Sequence, residues 1–206
     1  MSGDFVLHIN DLPKNISLHG SIAIDTEAMG LNNHRDRLCL IQLSDENQST
    51  HLIHFKDKNF EAPNLKKILN NPAKNKIFHY ARFDMAIILK YLNITIVNVF
   101  CTKIASKLCR TYAIYHSLGE LCNELINIKI AKHCQISDWG TEKLTPNQLK
   151  YAANDVIYLH KIKEKLITLL KREKRFLLAE KCFQFLPTRV KLDLLGWGDQ
   201  DIFTHH

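Results

Sequence analysis

Apolar and polar positions change in short blocks along the first half of the chain and fall into a helical rhythm in the second. Residues 21–25 (S-I-A-I-D), 37–43 (R-L-C-L-I-Q-L) and 50–55 (T-H-L-I-H-F) are brief β-branched and aliphatic runs parted by polar turns. Each predicts a strand, and the hairpin-length gaps between them predict an antiparallel meander. Residues 64–69 then predict a helix stopped at Asn71-Pro72, 76–79 a buried strand, 83–92 a helix and 94–100 a further strand. That order predicts an α/β fold, a mixed sheet with helices on its faces.

The second half predicts a helical region. Ser117…Glu120 and Thr145…Gln148 both have capping-box spacing, the second with Pro146 at the first helical position. From Thr145 one long helix is expected, with Leu149, Ala153, Val156, Leu159, Ile162, Leu166 and Leu169 as its apolar stripe. The basic run 171–175 fits a solvated face. Residues 183–202 are too apolar for a free end, so the segment 183–206 is expected to pack on its own core or on a neighbouring subunit. No repeat, low-complexity stretch or Gly/Ser linker divides residues 1–206, and a single domain is expected.

Composition narrows the class. With 206 residues, 46% apolar and 24% charged, the chain can bury a core, which excludes a disordered or fibrous protein. A net charge of +7 suits a polyanionic partner, although basicity alone has little specificity. No apolar run approaches the roughly 20 residues that span a bilayer, and Met1-Ser2-Gly3-Asp4 has none of the features that open a signal peptide. The expectation is a soluble cytoplasmic protein without membrane contact. Cys39, Cys101, Cys109, Cys122, Cys134 and Cys182 form no Cys-x-x-Cys pair, so they read as reduced thiols rather than zinc ligands or a disulfide framework.

The chemistry lies in the carboxylates. Asp25 and Glu27 stand two apart at a strand end and therefore project to one face. Asp84 falls in the first turn of a helix, where the helix dipole alone would favour it. Asp155 lies mid-helix among small and apolar residues in Y-A-A-N-D-V-I-Y-L, with Tyr151 four residues earlier on the same face. A buried aspartate needs a basic partner or a cation, and adjacent Lys150 points off another face. Four converging carboxylates would repel one another, whereas two divalent cations, Mg²⁺ or Mn²⁺, would make them a phosphodiester-hydrolysing centre. Tyr151 would then orient or deprotonate the attacking water.

D-T-E (25–27), H-Y-A-R-F-D (79–84) and Y-A-A-N-D (151–155) resemble the three motifs of the DEDDy 3′–5′ exonucleases, and S-D-W-G-T-E-K-L-T-P-N-Q-L (137–149) is similar to the ribonuclease D branch. The sister group carries His five residues before the last Asp, where this chain has Lys150. N-H-R-D-R-L-C-L-I-Q-L-S (33–44), F-C-T-K-I-A-S-K-L-C-R-T-Y (100–112), K-C-F-Q-F-L-P (181–187) and L-D-L-L-G-W (192–197) resemble the NanoRNase C family along nearly the whole chain. The resemblance implies a ribonuclease H-like fold and hydrolysis of short single-stranded RNA, notably dinucleotides, to nucleoside 5′-monophosphates, with short DNA left open. It also implies a ring-like homo-oligomer, an octamer by analogy, and binding of the terminal 3′-hydroxyl by Glu27. Full-length ribonuclease D carries further helical domains after the catalytic one; with 206 residues such domains are not expected here, and long structured RNA is not the expected substrate.

Thr26, Leu31 and His79 join Glu27 as expected substrate contacts. Leu31 reads either as a wedge against the terminal bases or as a core leucine, and His79 either as a substrate contact or as a hydrogen-bonded structural histidine. Arg82, Lys103, Lys107, Arg110 and Lys143 read as phosphate contacts or as solvated charges, and Trp139 as a base-stacking ring or a loop anchor. Two rivals stand beside the short-RNA enzyme: a broader nuclease of tRNA 3′ ends or single-stranded DNA, and a non-catalytic RNA-binding module of the same fold.

Overall fold

The computed structural model describes residues 4–130 and 137–205. Its strands are β1 (Phe5–Ile9), β2 (Ile22–Ala28), β3 (Leu38–Asp45), β4 (Thr50–His54), β5 (Lys76–Phe78) and β6 (Val99–Cys101), in one mixed sheet ordered β1-β4-β3-β2-β5-β6. β2, β3 and β4 are the antiparallel meander that the polar turns predict. The outer strands β1, β5 and β6 run parallel to their neighbours. The helices are α1 (Pro63–Leu69), α2 (Ala81–Leu92), α3 (Thr102–Cys109), α4 (Leu118–Ile126), α5 (Pro146–Ile157), α6 (Leu159–Arg172) and α7 (Phe176–Leu192), closed by a π turn, Asp193–Trp197. This is the expected ribonuclease H-like α/β architecture with a helical C-terminal half.

Three elements depart from the hydrophobic pattern. The strand expected over 94–100 is reduced to β6, because Asn98 adopts a left-handed backbone (φ 56°) while Ile94 and Ile96 are buried from coil. The long helix expected from Thr145 breaks at Tyr158 (φ −93°, ψ −13°) into α5 and α6, although its buried stripe runs on through Val156, Leu159, Ile162 and Leu166. β1 lies outside the predicted elements, and its ladder partner β4 is distant in sequence. The two cap signals fare differently. Thr145 and Gln148 complete a reciprocal capping box, whereas Ser117 accepts from the Glu120 N–H without the return bond.

Most apolar side chains form one core between the sheet and α2, α3, α6 and α7. α7 contributes Phe183, Leu186 and Val190, and the Phe183 ring lies 4.9 Å from that of Phe100, so the first part of the apolar tail packs on its own domain. Beyond it Leu195, Trp197, Ile202 and Phe203 are exposed. Lys171, Arg172 and Lys174 of the basic run are exposed as expected. Cys39, Cys101, Cys109 and Cys122 are buried free thiols and Cys182 is half-buried; Cys134 lies outside the described residues. No helix among the described residues is long and apolar enough to cross a membrane.

A second, smaller core sets the position of the site. Cys39, Leu40 and Leu52 from β3 and β4 meet Trp139, Leu144, Ala152 and Ala153. The two alanines, 0% and 2% exposed, let α5 lie close against the sheet where a larger side chain would hold it off.

Candidate active site

β2 carries Asp25 and Glu27 to the sheet face that α5 covers, and α5 brings Tyr151 and Asp155 down onto them. Carboxylate oxygens of Asp25, Glu27 and Asp155 all lie within 4.8 Å of one another. Asp84 approaches from the other side. β5 pairs with β2 only at Ile22 and Ala23, which leaves the later part of β2 without a ladder partner on that edge. The first turn of α2 fills that place, and Thr26 Oγ1 donates to Asp84 Oδ1 at 2.7 Å. Asp84 is thus both the helix-start acid and a neighbour of the cluster.

No ion pair among the described residues reaches any of the four acids. Burial pushes the Asp25 carboxyl up to about 7, against a smaller opposing effect of the Thr26 backbone N–H. Glu27 is raised well above the carboxylate range by burial and then by the charges of Asp25, Asp155 and Asp84. Asp84 and Asp155 are raised in the same way, by burial first and Asp25 second. Tyr151 is raised by burial and by the neighbouring acids, and its hydroxyl is in hydrogen-bonding contact with Asp155. Converging carboxylates that no ion pair among the described residues reaches are a hard-oxygen donor set, and the residues present fit hard divalent metals.

Gln42 is a neighbour that the sequence reading passed over. It faces Asp25 across the β2–β3 ladder, is fully buried, and donates from Nε2 to Asp25 Oδ2 at 3.3 Å. The available signal is its place as the one amide inside the apolar run L-C-L-I-Q-L.

The remaining candidates separate. Leu31 is 88% exposed on the loop after Glu27, which removes the core-leucine alternative. Thr26 is buried with its hydroxyl committed to Asp84. Thr102 Oγ1 donates to Phe78 O (3.1 Å) and so accepts from His79 Nδ1 (2.9 Å). His79 therefore carries its proton on Nδ1, and burial, aided by Lys103 and His116, lowers its pKa to about 3. Arg82 and Arg110 are both committed to carboxylates: half-buried Arg82 pairs with Asp193, and the buried Arg110 pairs with Glu124. Lys103 Nζ lies 4.4 Å over the Tyr80 ring, while Lys107 and Lys143 are exposed. Trp139, 2% exposed and 6.3 Å from the Tyr151 ring, is the loop anchor and not a base-stacking surface.

Residues 8–171 match the 3′–5′ exonuclease family. Ribonuclease D of Sphingobium indicum is 30% identical over 75% of this chain and 39% of its own length. The chain spans about a quarter to two fifths of the curated relatives it matches first. Among solved structures, Brucella melitensis NrnC bound to pGG is 47% identical, with a TM-score of 0.94 and 98% of each chain covered. The same protein with bound Mg²⁺ is 46% identical at a TM-score of 0.93, covering 98% of this chain and 99% of that one.

Proposed function

This chain belongs to the 3′–5′ exonuclease family, and on that premise we propose that it is a divalent-metal-dependent exoribonuclease that cuts very short RNA, dinucleotides above all, into nucleoside 5′-monophosphates. The observation that carries the reading is the meeting of Asp25, Glu27 and Asp155 within 4.8 Å, with Asp84 beside them and, among the described residues, no ion pair to any of the four. The preference for short RNA is supported by the likeness to a protein solved with pGG over nearly the full length of both chains.

In this reading Asp25, Glu27 and Asp155, with Asp84 beside them, would hold two Mg²⁺ or Mn²⁺ ions. Bound cations of this kind supply Lewis-acid activation of water and charge stabilisation at the leaving oxygen. The chain's own residues do the rest. Thr26 fixes Asp84 through its hydroxyl, and Gln42 fixes the Asp25 oxygen it donates to. Tyr151, kept in the phenol form by its buried acidic surroundings, orients the attacking water. Glu27 receives the terminal 3′-hydroxyl, and exposed Leu31 lies against the terminal bases. His79, neutral with its lone pair on Nε2, is a hydrogen-bond acceptor for the same substrate end. We take residues 1–206 as one catalytic domain working in the cytoplasm. The exposed Leu195, Trp197, Ile202 and Phe203 give a ring-like homo-oligomer an apolar surface to bury.

A metal titration with a labelled series from dinucleotide to structured tRNA tests this. Chelator-treated protein should be inactive, Mg²⁺ or Mn²⁺ should restore release of 5′-monophosphates, and kcat/KM should fall as the substrate lengthens. Equal rates across lengths would favour the broader tRNA or single-stranded DNA nuclease. Metal-independent binding with no product at all would leave only the RNA-binding module.

A further inference from the structure

The C-terminal turn is tied into the substrate side of the site through one residue. Asp193 is 9% exposed, and its carboxylate takes a bidentate pair from Arg82: Nε to Oδ2 at 2.6 Å and Nη2 to Oδ1 at 2.8 Å. Arg189 adds a second guanidinium, with Nε donating to Oδ1 at 2.9 Å. Arg82 and Arg189 also donate onward to the carbonyls of Gly198 and Trp197 respectively, which closes the turn over the pair. The main-chain carbonyl of Asp193 faces the other way and accepts from His34 Nε2 at 3.2 Å.

Arg82 lies in the first turn of α2, two residues before Asp84. The N-cap of that helix, Tyr80, is left-handed (φ 68°) and offers no side-chain cap, so the helix start depends on contacts from elsewhere. His34 belongs to the loop that projects Leu31 into solvent. That loop is held from α2, where Lys90 Nζ donates to the carbonyls of Asn33 (2.9 Å) and His34 (2.8 Å), and from Asp193. Asp84 has a tether of its own in Thr26. The Leu31 side chain, 88% exposed, has almost no packing of its own, so its position is set through the loop's anchors.

We infer that Asp193 is a positioning residue for substrate binding: it is fixed to the start of α2 through Arg82 and fixes the Leu31 loop through His34, so the C-terminal turn sets where the terminal-base contact stands relative to the acids. The inference rests on the function proposed above for Leu31 and the acids. A charge-assisted bidentate pair between a buried carboxylate and a half-buried guanidinium has the stiffness for this role, and losing the carboxylate leaves two guanidinium groups facing each other. Leu31 touches the substrate before and during reaction alike, so a displaced loop should raise KM and spare kcat, whereas displaced acids would lower kcat.

The test is a double-mutant cycle on the full-length protein with Mg²⁺ and a labelled dinucleotide. Asp193→Asn and His34→Ala should each raise KM about tenfold with kcat changed by less than about threefold. The double variant should be no worse than the worse single one, because the two substitutions interrupt one chain of contacts, Asp193→Asn at its Arg82 end and His34→Ala at the Asp193 main-chain carbonyl. His34→Gln, which returns an N–H near the Nε2 position, should recover most of the affinity. Hydrogen exchange across residues 29–36 should quicken in Asp193→Asn. An unchanged KM in Asp193→Asn, additive effects in the double variant, or unaltered exchange in that loop would each overturn the link. If Asp193→Asn fails to fold, Arg82→Lys, which keeps the charge and loses the fork, takes its place under the same criteria. Leu31→Ala in the same assay separates the two ideas. A normal KM there removes Leu31 from the substrate reading, while loop exchange still decides whether Asp193 holds the loop.

Discussion

Asp155 and Asp193 are equally buried, each 9% exposed, and both lie in the C-terminal half of the chain, yet their surroundings are opposite. Asp193 sits between two guanidinium groups. Asp155 has a phenol and other carboxylates around it, and its pKa is driven up by burial and by Asp25. Taking a carboxylate out of water costs several kcal/mol unless a counter-charge meets it. At Asp193 the chain supplies that charge, and the result is a joint. At Asp155 no ion pair among the described residues supplies it, and on the function proposed above the same cost becomes an affinity for a cation from solution. Asp36 extends the first class, with Arg35 and the Asn32 N–H on its carboxylate. Partnering, more than burial, separates a structural acid from a candidate ligand in this molecule.

The largest effect should come from neutralising the unpartnered class. Asp155→Asn keeps the shape and leaves an acceptor for the Tyr151 hydroxyl. It should cost roughly 10³-fold or more in kcat, about 4 kcal/mol of barrier. The metal-free variant should nonetheless melt higher than wild type at pH 8, since one repelling charge is gone. Turnover near the wild-type value, read with the dinucleotide, would remove Asp155 from the site.

That contrast was only half legible in the sequence. Asp25 and Glu27 could be put on one face from strand periodicity, and Asp155 with Tyr151 from helical spacing. The meander and α2 followed from local patterning as well. What local patterning cannot carry is the partner of a charge. Arg82 and Asp193 are far apart in sequence, and nothing near Arg82 marks it as half of an ion pair. The break at Tyr158 escaped for a related reason, because the apolar stripe continues across it and the chain turns without changing the pattern. β1 likewise depends on a parallel partner that lies beyond any short window.

A smaller effect, in stability, sharpens the comparison. Burial raises Asp25 from 3.8 to about 7, so the folded metal-free protein holds a proton there that the unfolded chain has released. Stability from this group is full below the unfolded pKa and is lost as pH rises through the window from 3.8 to about 7. His51, His54, His79 and His160, whose pKa values burial lowers, act the other way as pH falls. The acid cluster is therefore read from a difference. The gap in melting temperature between metal-free Asp155→Asn and metal-free wild type should widen from pH 6 to pH 8.5. Mg²⁺ held at one concentration, about 100 times its Kd at pH 6, adds about 2.7 kcal/mol there, or roughly 5–10 °C, and this increment should grow toward pH 8.5 as the Kd falls. An increment that does not change with pH would mean that the ion binds elsewhere.

The smallest effect concerns Leu31, where the two kinds of acid meet. The loop that carries it follows the strand that bears Glu27, and it is braced by the Asp36 carboxylate and by the main-chain carbonyl of Asp193. Gly30 shows how closely that bracing fits, because a Cβ placed there would lie 2.2 Å from Asp36 Oδ2. Leu31→Ala removes the projecting side chain and leaves every brace in place. Base contacts of this kind are worth roughly 1–3 kcal/mol, so KM for the dinucleotide should rise by about 5- to 150-fold, with kcat and melting temperature close to wild type. Gly30→Ala disturbs the brace and leaves the leucine. It should raise KM as well, but with faster hydrogen exchange across residues 29–36, which Leu31→Ala should not show. If both variants quicken exchange equally, Leu31 is part of the loop's packing and the distinction between contact and brace is lost.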